Sequence, residues 1–164
     1  MDEQINVDVP GVGSFSVRAT NEILAWRASS FLSKETGTLD WLKSLGPDSV
    51  LIDVGANVGM CSVPAAKYLV KRVVALEPEP MNLQALRENS ELNKLTKEKL
   101  DILPLAISTE FADSVVPLFL GQDCAGGSGH TLAYNQTDNM LPLNEKRESI
   151  SVYAVSLASV VKRE

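Results

Sequence analysis

The pattern of apolar and polar positions changes along the chain, and each change predicts a different kind of element. Near the N-terminus, INVDV and SFSVRA alternate apolar and polar residues around the turn Pro10–Gly13, which predicts two short strands. Residues 21–45 carry apolar side chains at helical spacing and predict two helices that begin at the capping residues Asn21 and Thr38. The second helix would turn one apolar face inward, formed by Leu39, Trp41, Leu42 and Leu45.

A regular alternation of strands and helices begins at residue 49. SVLIDV (49–54) and RVVALEP (72–78) are continuous apolar runs, typical of strands that are buried on both faces. Apolar residues over 60–70 and an amphipathic pattern over 80–95 predict the intervening helices, and DILPLAIS (101–108) predicts a third strand. Strand–helix–strand–helix–strand at this spacing indicates an α/β fold with a mostly parallel sheet and right-handed crossovers.

The pattern becomes looser after residue 108. SVVPLFL (114–120) predicts a strand, and SISVYAVSLASVV (149–161) predicts a strand followed by the start of a helix. Residues 121–139 are rich in glycine and polar side chains, so we expect a loop there. Pro104 weakens the third strand of the preceding unit and favours an edge position for it, because proline cannot donate to a sheet.

Composition excludes several classes of partner. The chain has 164 residues, enough for a core, and its net charge of -6 and pI of about 4.9 argue against a nucleic-acid partner, although one local basic pocket stays open. Cys61 and Cys124 form no CxxC motif, and we expect neither a metal site nor a disulfide. The N-terminus lacks a signal pattern, and no apolar run approaches the ~20 residues of a membrane span. These features predict a cytoplasmic protein without a membrane partner.

The stretch LIDVGANVG ends the first buried strand in a turn of small residues. Ligands of parallel α/β sheets bind at the carboxyl ends of the strands, where small residues let a ligand approach the backbone. The dinucleotide template G-x-G-x-x-G is met only at Gly55, because Asn57 and Met60 stand at its other glycine positions. The acid and G-x-G-x-G template of S-adenosylmethionine sites departs only at Asn57, and asparagine tolerates positive φ. The predicted cofactor is therefore S-adenosylmethionine, and the candidate residues in the turn are Asp53, Gly55, Ala56, Asn57 and Gly59.

A second acid strengthens this hypothesis. Glu77 ends the next strand roughly 20 residues after Gly55, the offset of an acid that hydrogen-bonds the ribose hydroxyls of a nucleotide. The alternative is a solvated acid at a strand end. For Asp53 two roles stay open, acceptance of backbone N–H groups in the turn and contact with the amino group of the ligand. Pro64 indicates that the following helix begins late, near Cys61, or is kinked.

Three segments together resemble the FkbM family of S-adenosylmethionine-dependent methyltransferases: VLIDVGANVGMCSVPAAK, VVALEPEPMNLQALRENSELNKL and LPLAIS. The resemblance covers about residues 22–110. It implies a Rossmann-like methyltransferase fold with a seven-stranded sheet. It also implies that Gly55, Asn57 and Gly59 line the methionine end of the cofactor, Glu77 the ribose, and Ala106 the adenine. Asn89 and Asn93, which belong to the same motif, are expected to be buried amides that bond backbone groups or cap a helix.

The FkbM pattern continues into a "KiDvEG" strand that this sequence does not contain. We therefore expect the N-terminal part of such an enzyme, with a strand and helix lead-in over 1–48 and a cofactor-binding domain over 49–164 whose C-terminal part is missing. The resemblance implies O-methylation of a hydroxyl on a sugar or other small molecule. No general base is assigned, since His130 is a lone histidine in a loop.

Two other hypotheses stay open. The chain could be a non-catalytic cofactor-binding or assembly fragment, in which uncovered sheet edges form a homo-oligomer. It could also be a nicotinamide-binding domain, which titration with S-adenosylhomocysteine and NAD would separate from the others.

Overall fold

The structure is a computed structural model that describes residues 2–134 and 147–163. Its elements in these ranges are β1 (Glu3–Val9), β2 (Gly13–Ala19), α1 (Glu22–Lys34), α2 (Thr36–Ser44), β3 (Val50–Val54), α3 (Ser62–Pro64), a π-helical segment (Ala65–Leu69), β4 (Arg72–Leu76), α4 (Pro80–Leu92), β5 (Leu100–Leu103), β6 (Ala106–Ile107), β7 (Ser114–Phe119), β8 (Thr131–Leu132), β9 (Ser149–Val155) and α5 (Leu157–Val161).

The N-terminal region is a hairpin followed by two helices, as the sequence predicts. β1 and β2 pair antiparallel around the predicted turn, with Val9 opposite Gly13. Asn21 caps α1 by accepting a hydrogen bond from the Leu24 N–H at 2.9 Å. The rings of Phe15 and Phe31 pack edge to face with their centroids 5.7 Å apart, which fixes α1 against the hairpin.

The predicted parallel α/β unit is confirmed. β3, β4 and β5 form a parallel sheet in that order, with Asp53 opposite Ala75 and Ala75 opposite Ile102. β4 is the central strand, and four of its five residues are buried. This Rossmann-like arrangement brings the carboxyl ends of β3 and β4 side by side, at Val54 and Leu76. The candidate site lies at this edge of the sheet.

A second, mixed sheet follows the first. Pro104 interrupts the third predicted strand, so that β5 belongs to the parallel sheet while β6 pairs in parallel with β9. The predicted strands over 114–120 and 149–161 are present as β7 and as β9 with α5. The predicted loop over 121–139 is described only as far as residue 134, and it contains the short strand β8.

Two details of the second predicted helix were wrong. α2 begins at Thr36 with Glu35 as its N-cap residue, and the Thr38 hydroxyl instead donates a hydrogen bond to Glu35 Oε2 at 2.9 Å. Trp41 is 52% exposed, while Leu39 and Leu42 are buried. Trp41 follows Leu39 by two positions, which places it about 200° around the helix, on the opposite face.

The environment of β3 also differs from the prediction of a strand buried on both faces. Val50 and Val54 are 43% and 51% exposed. Within the described residues β3 pairs only with β4, so one edge of β3 is uncovered. A continuous apolar run indicates a strand, but it does not show whether that strand has one neighbour or two.

The late start that Pro64 predicts for this helix is confirmed. The helix begins late, at Ser62, and after Pro64 it continues as a π-helical segment from Ala65 to Leu69. Pro64 thus lies in the first turn of the helix, where the N–H that proline lacks would have no helical partner.

Asn89 and Asn93 connect α4 to neighbouring backbone, as expected. Asn89 accepts a hydrogen bond from the Arg18 N–H at 2.8 Å and donates to the Val58 carbonyl at 2.9 Å. Asn93 is the C-cap residue of α4 and bonds both backbone groups of Ser16, at 3.0 and 2.7 Å. Of the helices in the described residues, none has both the length and the apolar character that crossing a bilayer requires.

Candidate cofactor site

The turn after β3 adopts the left-handed backbone conformation that its small residues predict. Gly55, Asn57 and Gly59 all have positive φ, at 73°, 51° and 85°. Asparagine is one of the few residues other than glycine that adopts this conformation readily, which explains its place in the motif. The N–H groups of Gly55 and Ala56 both donate to the Leu76 carbonyl, at 2.9 and 3.0 Å. The turn is therefore tied to the end of β4.

Glu77 joins the two parts of the site that the sequence predicted separately. Its Oε2 accepts a hydrogen bond from the Asn57 N–H at 2.7 Å, and its Oε1 accepts one from the Glu79 N–H at 2.9 Å. The residue is only 4% exposed, so it is not a solvated acid at a strand end. Burial raises the pKa of the carboxyl group, and the two backbone hydrogen bonds oppose that shift. Its contact with a ribose stays a prediction.

Asp53 lies at the carboxyl end of β3, where its Oδ2 accepts a hydrogen bond from the Ser62 hydroxyl. Burial raises the pKa of Asp53, and the Ser62 hydrogen bond acts against this shift. In this structure Asp53 therefore connects the strand to α3 through a side chain rather than through backbone N–H groups. A contact with the amino group of a ligand stays a prediction.

The other small residues of the turn have different surroundings. A Cβ atom on Gly59 would lie 2.4 Å from Leu86 Cδ1, so glycine is needed there for α4 to pack against the turn. A Cβ atom on Gly55 would meet nothing within 4 Å. Ala56 is buried between these two glycines, with 6% exposure. Gly55 is thus the position at which the backbone is open to a ligand.

Ala106, the predicted adenine contact, belongs to the second sheet rather than to the turn. It is 6% exposed and belongs to the hydrophobic cluster of the second sheet, with Val116, Leu118 and Ala154 among its members. It pairs with Ala154 in the β6–β9 ladder. The prediction followed the end of the third strand, which Pro104 moves into the other sheet.

A cavity of about 410 Å³ adjoins the turn on the side of α1. Asp53, Gly55, Ala56 and Asn57 line one wall of it, so the structure brings four of the predicted residues to one space. The lining also includes Arg27 and Lys34 of α1, which the sequence did not indicate as site residues. A volume of several hundred Å³ is within the range of small-molecule sites.

The loop after β7 packs onto the same region, and its contacts could not be read from the sequence. The Gly127 carbonyl accepts hydrogen bonds from Asn57 Nδ2 at 2.7 Å and from Asn82 Nδ2 at 3.2 Å. Asn82 Oδ1 accepts a hydrogen bond from the Gly126 N–H at 2.7 Å, and Arg27 Nε donates to the Gly126 carbonyl at 2.7 Å. Asn21, found in the sequence only as a helix cap, also donates to the Ala125 carbonyl at 2.9 Å. We call residues 125–127 the docked loop.

Among the remaining chemically reactive groups of the described residues, Cys61 lines the cavity and His130 does not. His130 Nδ1 accepts a hydrogen bond from the Gly121 N–H at 3.2 Å, so this histidine shapes its own loop. Burial, followed by the nearby Asp53 carboxylate, raises the pKa of Cys61 to about 12, which keeps the thiol protonated. Within residues 2–134 and 147–163, no three His, Cys, Asp or Glu side chains are grouped to hold a metal ion.

Comparison with known proteins identifies a family. Residues 36–120 match the family described as ribosomal protein L11 methyltransferase (PrmA). The enzyme of that name from Acinetobacter baylyi is 34% identical over 88 residues, which is 53% of this chain and 27% of the relative. The corresponding enzyme of Vibrio campbellii is 33% identical over 67 residues, 40% of this chain and 23% of the relative.

A relative with another activity matches a shorter stretch. The tRNA(Phe) (4-demethylwyosine(37)-C(7)) aminocarboxypropyltransferase of Pyrococcus horikoshii is 39% identical over 49 residues, 30% of this chain and 18% of the relative. The chain thus spans well under half the length of these curated relatives.

Two solved structures resemble part of this chain. The structure of Methanocaldococcus jannaschii TYW2 in complex with AdoMet has a TM-score of 0.44 and 20% identity, over 66% of this chain and 52% of the other. A SAM-dependent methyltransferase from Agrobacterium tumefaciens has a TM-score of 0.45 and 18% identity, over 63% of this chain and 33% of the other.

Proposed function

The chain belongs to the family of ribosomal protein L11 methyltransferases (PrmA), and from that premise we propose that it binds S-adenosylmethionine and transfers its methyl group to an acceptor. The observation that carries this proposal is the hydrogen bond between Glu77 and the Asn57 N–H. It unites an acid at the end of β4 with a turn of small residues at the end of the neighbouring parallel strand. This is the arrangement expected for an adenosine that lies across two strand ends.

The residues present fit the sugar of such a cofactor. A carboxylate has roughly four acceptor positions, and two backbone N–H groups use part of that capacity at Glu77. We propose that the ribose hydroxyls donate to the remaining positions. Ala106 is retained only as a proposed neighbour of the adenine, on the strength of the FkbM resemblance.

The docked loop bears on how a ribose would reach Glu77. Asn57 and Asn82 each contact the Gly127 carbonyl, and each also contacts Glu77. Asn57 and Asn82 therefore link the docked loop to Glu77. We propose that the Gly127 carbonyl moves away when the cofactor binds. The side-chain amides of Asn57 and Asn82 would then donate to an oxygen of the cofactor instead of to Gly127.

S-adenosylmethionine supplies an electrophilic methyl group on a sulfonium ion. The task of the protein is then to hold the acceptor in line with the bond that breaks and to exclude water, since positioning accounts for much of the rate of such displacements. Gly55 and Asn57 line the cavity beside the turn, and the FkbM resemblance implies that they lie at the methionine end of the cofactor. No side chain is proposed here as general base.

Two classes of acceptor are supported by different observations. The FkbM resemblance favours a hydroxyl on a sugar or other small molecule, with the small molecule as partner. Membership of the PrmA family favours a protein acceptor, as in the relatives named for ribosomal protein L11. A tRNA acceptor is supported by the relative named for tRNA(Phe), while the net charge of -6 gives little general attraction to RNA. A non-catalytic cofactor-binding or assembly role is the alternative proposal.

Calorimetric titration with S-adenosylhomocysteine and with NAD tests the cofactor. We expect the first ligand to bind and NAD to bind far more weakly, and NAD binding alone would overturn the proposal. Glu77→Ala should weaken S-adenosylhomocysteine binding by about 1.5–3 kcal/mol, the range for hydrogen bonds to charged groups. Glu91→Ala, at an exposed position of α4, is the matched control and should leave the affinity unchanged.

A second experiment separates the acceptor classes. The chain is incubated with methyl-labelled S-adenosylmethionine and either ribosomal protein L11 or a panel of sugars, and the label is divided into acid-precipitable and soluble fractions. Label on precipitated protein supports the protein acceptor, and label on a soluble sugar supports O-methylation. Binding of the cofactor without transfer to either acceptor would favour the non-catalytic alternative.

A further inference from the structure

Although the chain as a whole carries a net charge of -6, cations gather at one edge of the parallel sheet. This is the edge at which β4 and β5 begin, opposite to the edge that carries the turn and Glu77. The π-helical segment and α4 also end there. We call the basic residues of these segments the basic edge: Lys67, Lys71, Arg72, Lys94, Lys97 and Lys99.

Backbone and side-chain contacts bring the segments of the basic edge together. Lys67 Nζ donates a hydrogen bond to Asn93 Oδ1 at 3.3 Å, which places the end of the π-helical segment beside Lys94. The Lys99 carbonyl accepts a hydrogen bond at 2.8 Å from the first N–H group after Arg72, so the starts of β4 and β5 lie side by side. The cations therefore form one surface, although they are distant in sequence.

One acid at this edge is already paired. Asp101 Oδ2 lies 3.0 Å from Arg72 Nη2, and Asp101 Oδ1 lies 3.9 Å from Lys97 Nζ. The Asp101 side chain is only 13% exposed, so its carboxylate is directed to these two cations rather than to solvent. Three exposed acids stand in the same segments or next to them in sequence: Asp48, Glu91 and Glu98.

The exposed lysines are not neutralised by those acids. Within residues 2–134 and 147–163, Lys97 is the only lysine of the basic edge with a carboxylate oxygen within 4 Å of its Nζ. Lys67 donates only to neutral oxygens, of the Ser14 carbonyl and the Asn93 amide. Acids elsewhere on the chain matter little here, because salt at physiological concentration screens charges beyond about 8 Å. The basic edge therefore attracts polyanions locally.

Tyr68 adds an aromatic surface to the basic edge. Its ring is 44% exposed, its hydroxyl donates to the Ser14 carbonyl at 2.6 Å, and Lys67 Nζ lies 5.2 Å from the ring centre. Single-stranded nucleic acids bind surfaces of this kind, since their phosphates contact cations while their bases stack on exposed rings. An anionic membrane offers phosphates but no bases to stack, so the ring favours a nucleic acid.

We propose that the basic edge binds single-stranded nucleic acid, with phosphates on Lys71, Lys94 and Lys99 and a base on Tyr68. β4 has five residues, so this surface lies about 17 Å from the candidate cofactor site along the strand. A bound strand would hold a large partner at the protein without filling the cavity. The inference does not depend on the proposed methyl transfer.

The salt dependence of binding tests this surface. Fluorescence anisotropy of the full chain is measured with labelled oligouridine and oligodeoxythymidine of about 20 nucleotides, which distinguish RNA from DNA as the source of the strand. The logarithm of the affinity should fall with the logarithm of salt concentration by about 0.7 for each phosphate contact. We expect the triple variant Lys71→Gln, Lys94→Gln, Lys99→Gln to bind about 10- to 100-fold more weakly at about 50 mM salt and to lower that slope by about 2.

A second triple variant is the matched control. Arg18→Gln, Lys162→Gln and Arg163→Gln remove the same charge from exposed positions outside the basic edge. This variant should keep the slope of the wild type and an affinity within about twofold of it. Thermal unfolding of both triple variants establishes that the fold is retained.

Tyr68 tests the stacking separately from the charge. Tyr68→Leu removes the ring, and we expect it to weaken binding about fivefold or more without a change in the salt slope. Tyr68→Phe keeps the ring and should bind like the wild type.

Three results would overturn the proposal. The first is failure of the wild type to bind either oligonucleotide at about 50 mM salt. The second is an equal loss of affinity in the two triple variants, which would mean that only the total charge matters. The third is tighter binding to phosphatidylserine vesicles than to the oligonucleotides, with the same dependence on the three lysines, which would assign the surface to a membrane.

Discussion

Gly55 and Gly59 share a backbone conformation, but their side-chain positions face different surroundings. Both have positive φ, at 73° and 85°, so replacement of either by alanine carries a backbone cost of about 1 kcal/mol. Only at Gly59 would the new Cβ also meet Leu86, at 2.4 Å. We expect Gly59→Ala to lower the free energy of unfolding clearly more than Gly55→Ala, as measured by urea denaturation.

Ligand binding should rank the same two variants in the opposite order. Gly55 lines the cavity and Gly59 packs against α4, so Gly55→Ala should weaken S-adenosylhomocysteine binding more than Gly59→Ala does. Equal losses of affinity would mean that the turn acts only through its overall shape.

Asp53 should give the protein a pH-dependent stability. Burial raises its pKa above the ordinary value of 3.8, so the folded state binds the proton more tightly than the unfolded state. The stability that Asp53 contributes is therefore complete below pH 3.8 and is lost as the pH rises through the higher folded-state pKa. Asp53→Asn keeps an acceptor for the Ser62 hydroxyl but cannot ionise.

We expect the free energy of unfolding of Asp53→Asn, relative to the wild type, to become more favourable as the pH rises from about 4 to 7. Denaturant unfolding of both proteins at a series of pH values measures this difference. Glu77, whose pKa is also raised, is present in both proteins, so its contribution to the pH dependence cancels. Asp40→Asn, at an exposed position of α2, is the control. A difference that stays constant with pH would contradict the assignment of Asp53 as a buried acid.

At the scale of elements, local patterns predicted most of the fold. The continuous apolar runs gave β3 and β4, and the capping role of Asn21 followed from its side chain, because these depend on neighbours in sequence. The exposure of Trp41 and of one edge of β3 depends on tertiary contacts between residues that are distant in sequence. The sequence could therefore indicate the elements but not all of their packing.

The candidate site also contains residues that the sequence predicted and residues that it did not. The turn and Glu77 were recognised because a motif of fixed spacing carries them, and the structure brings them together. Arg27, Asn82 and the docked loop were missed, because 44 or more residues separate the loop from its partners on α1 and α4. Ala106 was assigned from the end of a strand that Pro104 interrupts.

The docked loop leads to a prediction about competition. A Cβ atom on Gly127 would lie 2.5 Å from the Gln122 carbonyl oxygen and 2.8 Å from that of Cys124, so Gly127→Ala should displace the loop. If the Gly127 carbonyl competes with a ribose, this variant should bind S-adenosylhomocysteine several-fold more tightly, because the competing state becomes less populated. Calorimetric titration measures the change.

Gly37→Ala is the control for this loop variant. Gly37 lies in α2, and an added Cβ there would meet nothing within 4 Å. Its affinity for the ligand should equal that of the wild type. Weaker binding by Gly127→Ala would show instead that the loop forms part of the bound site.

At the scale of the whole molecule, the proposed division at residue 48 does not separate the lead-in from the site. α1 lies in the lead-in, yet Arg27 and Lys34 line the same cavity as Asp53 and Gly55. Phe31 and Leu42 of the two lead-in helices also belong to the same hydrophobic cluster as Leu51 of β3. The lead-in and the parallel sheet therefore share a core, and we expect them to unfold together.

The uncovered edge of β3 is the feature of the whole molecule most open to association. Its outer backbone groups pair with no strand among the described residues, and Val50, at its start, is 43% exposed. Exposed edge strands with apolar side chains pair with other chains, whereas a lysine on the edge opposes this. We expect the mass of the chain in sedimentation equilibrium to rise above 17.7 kDa with concentration, and Val50→Lys to suppress the rise. Val115→Lys, on a strand that already pairs with β9, should leave it unchanged. A single mass of 17.7 kDa at every concentration would show that this edge does not form a homo-oligomer.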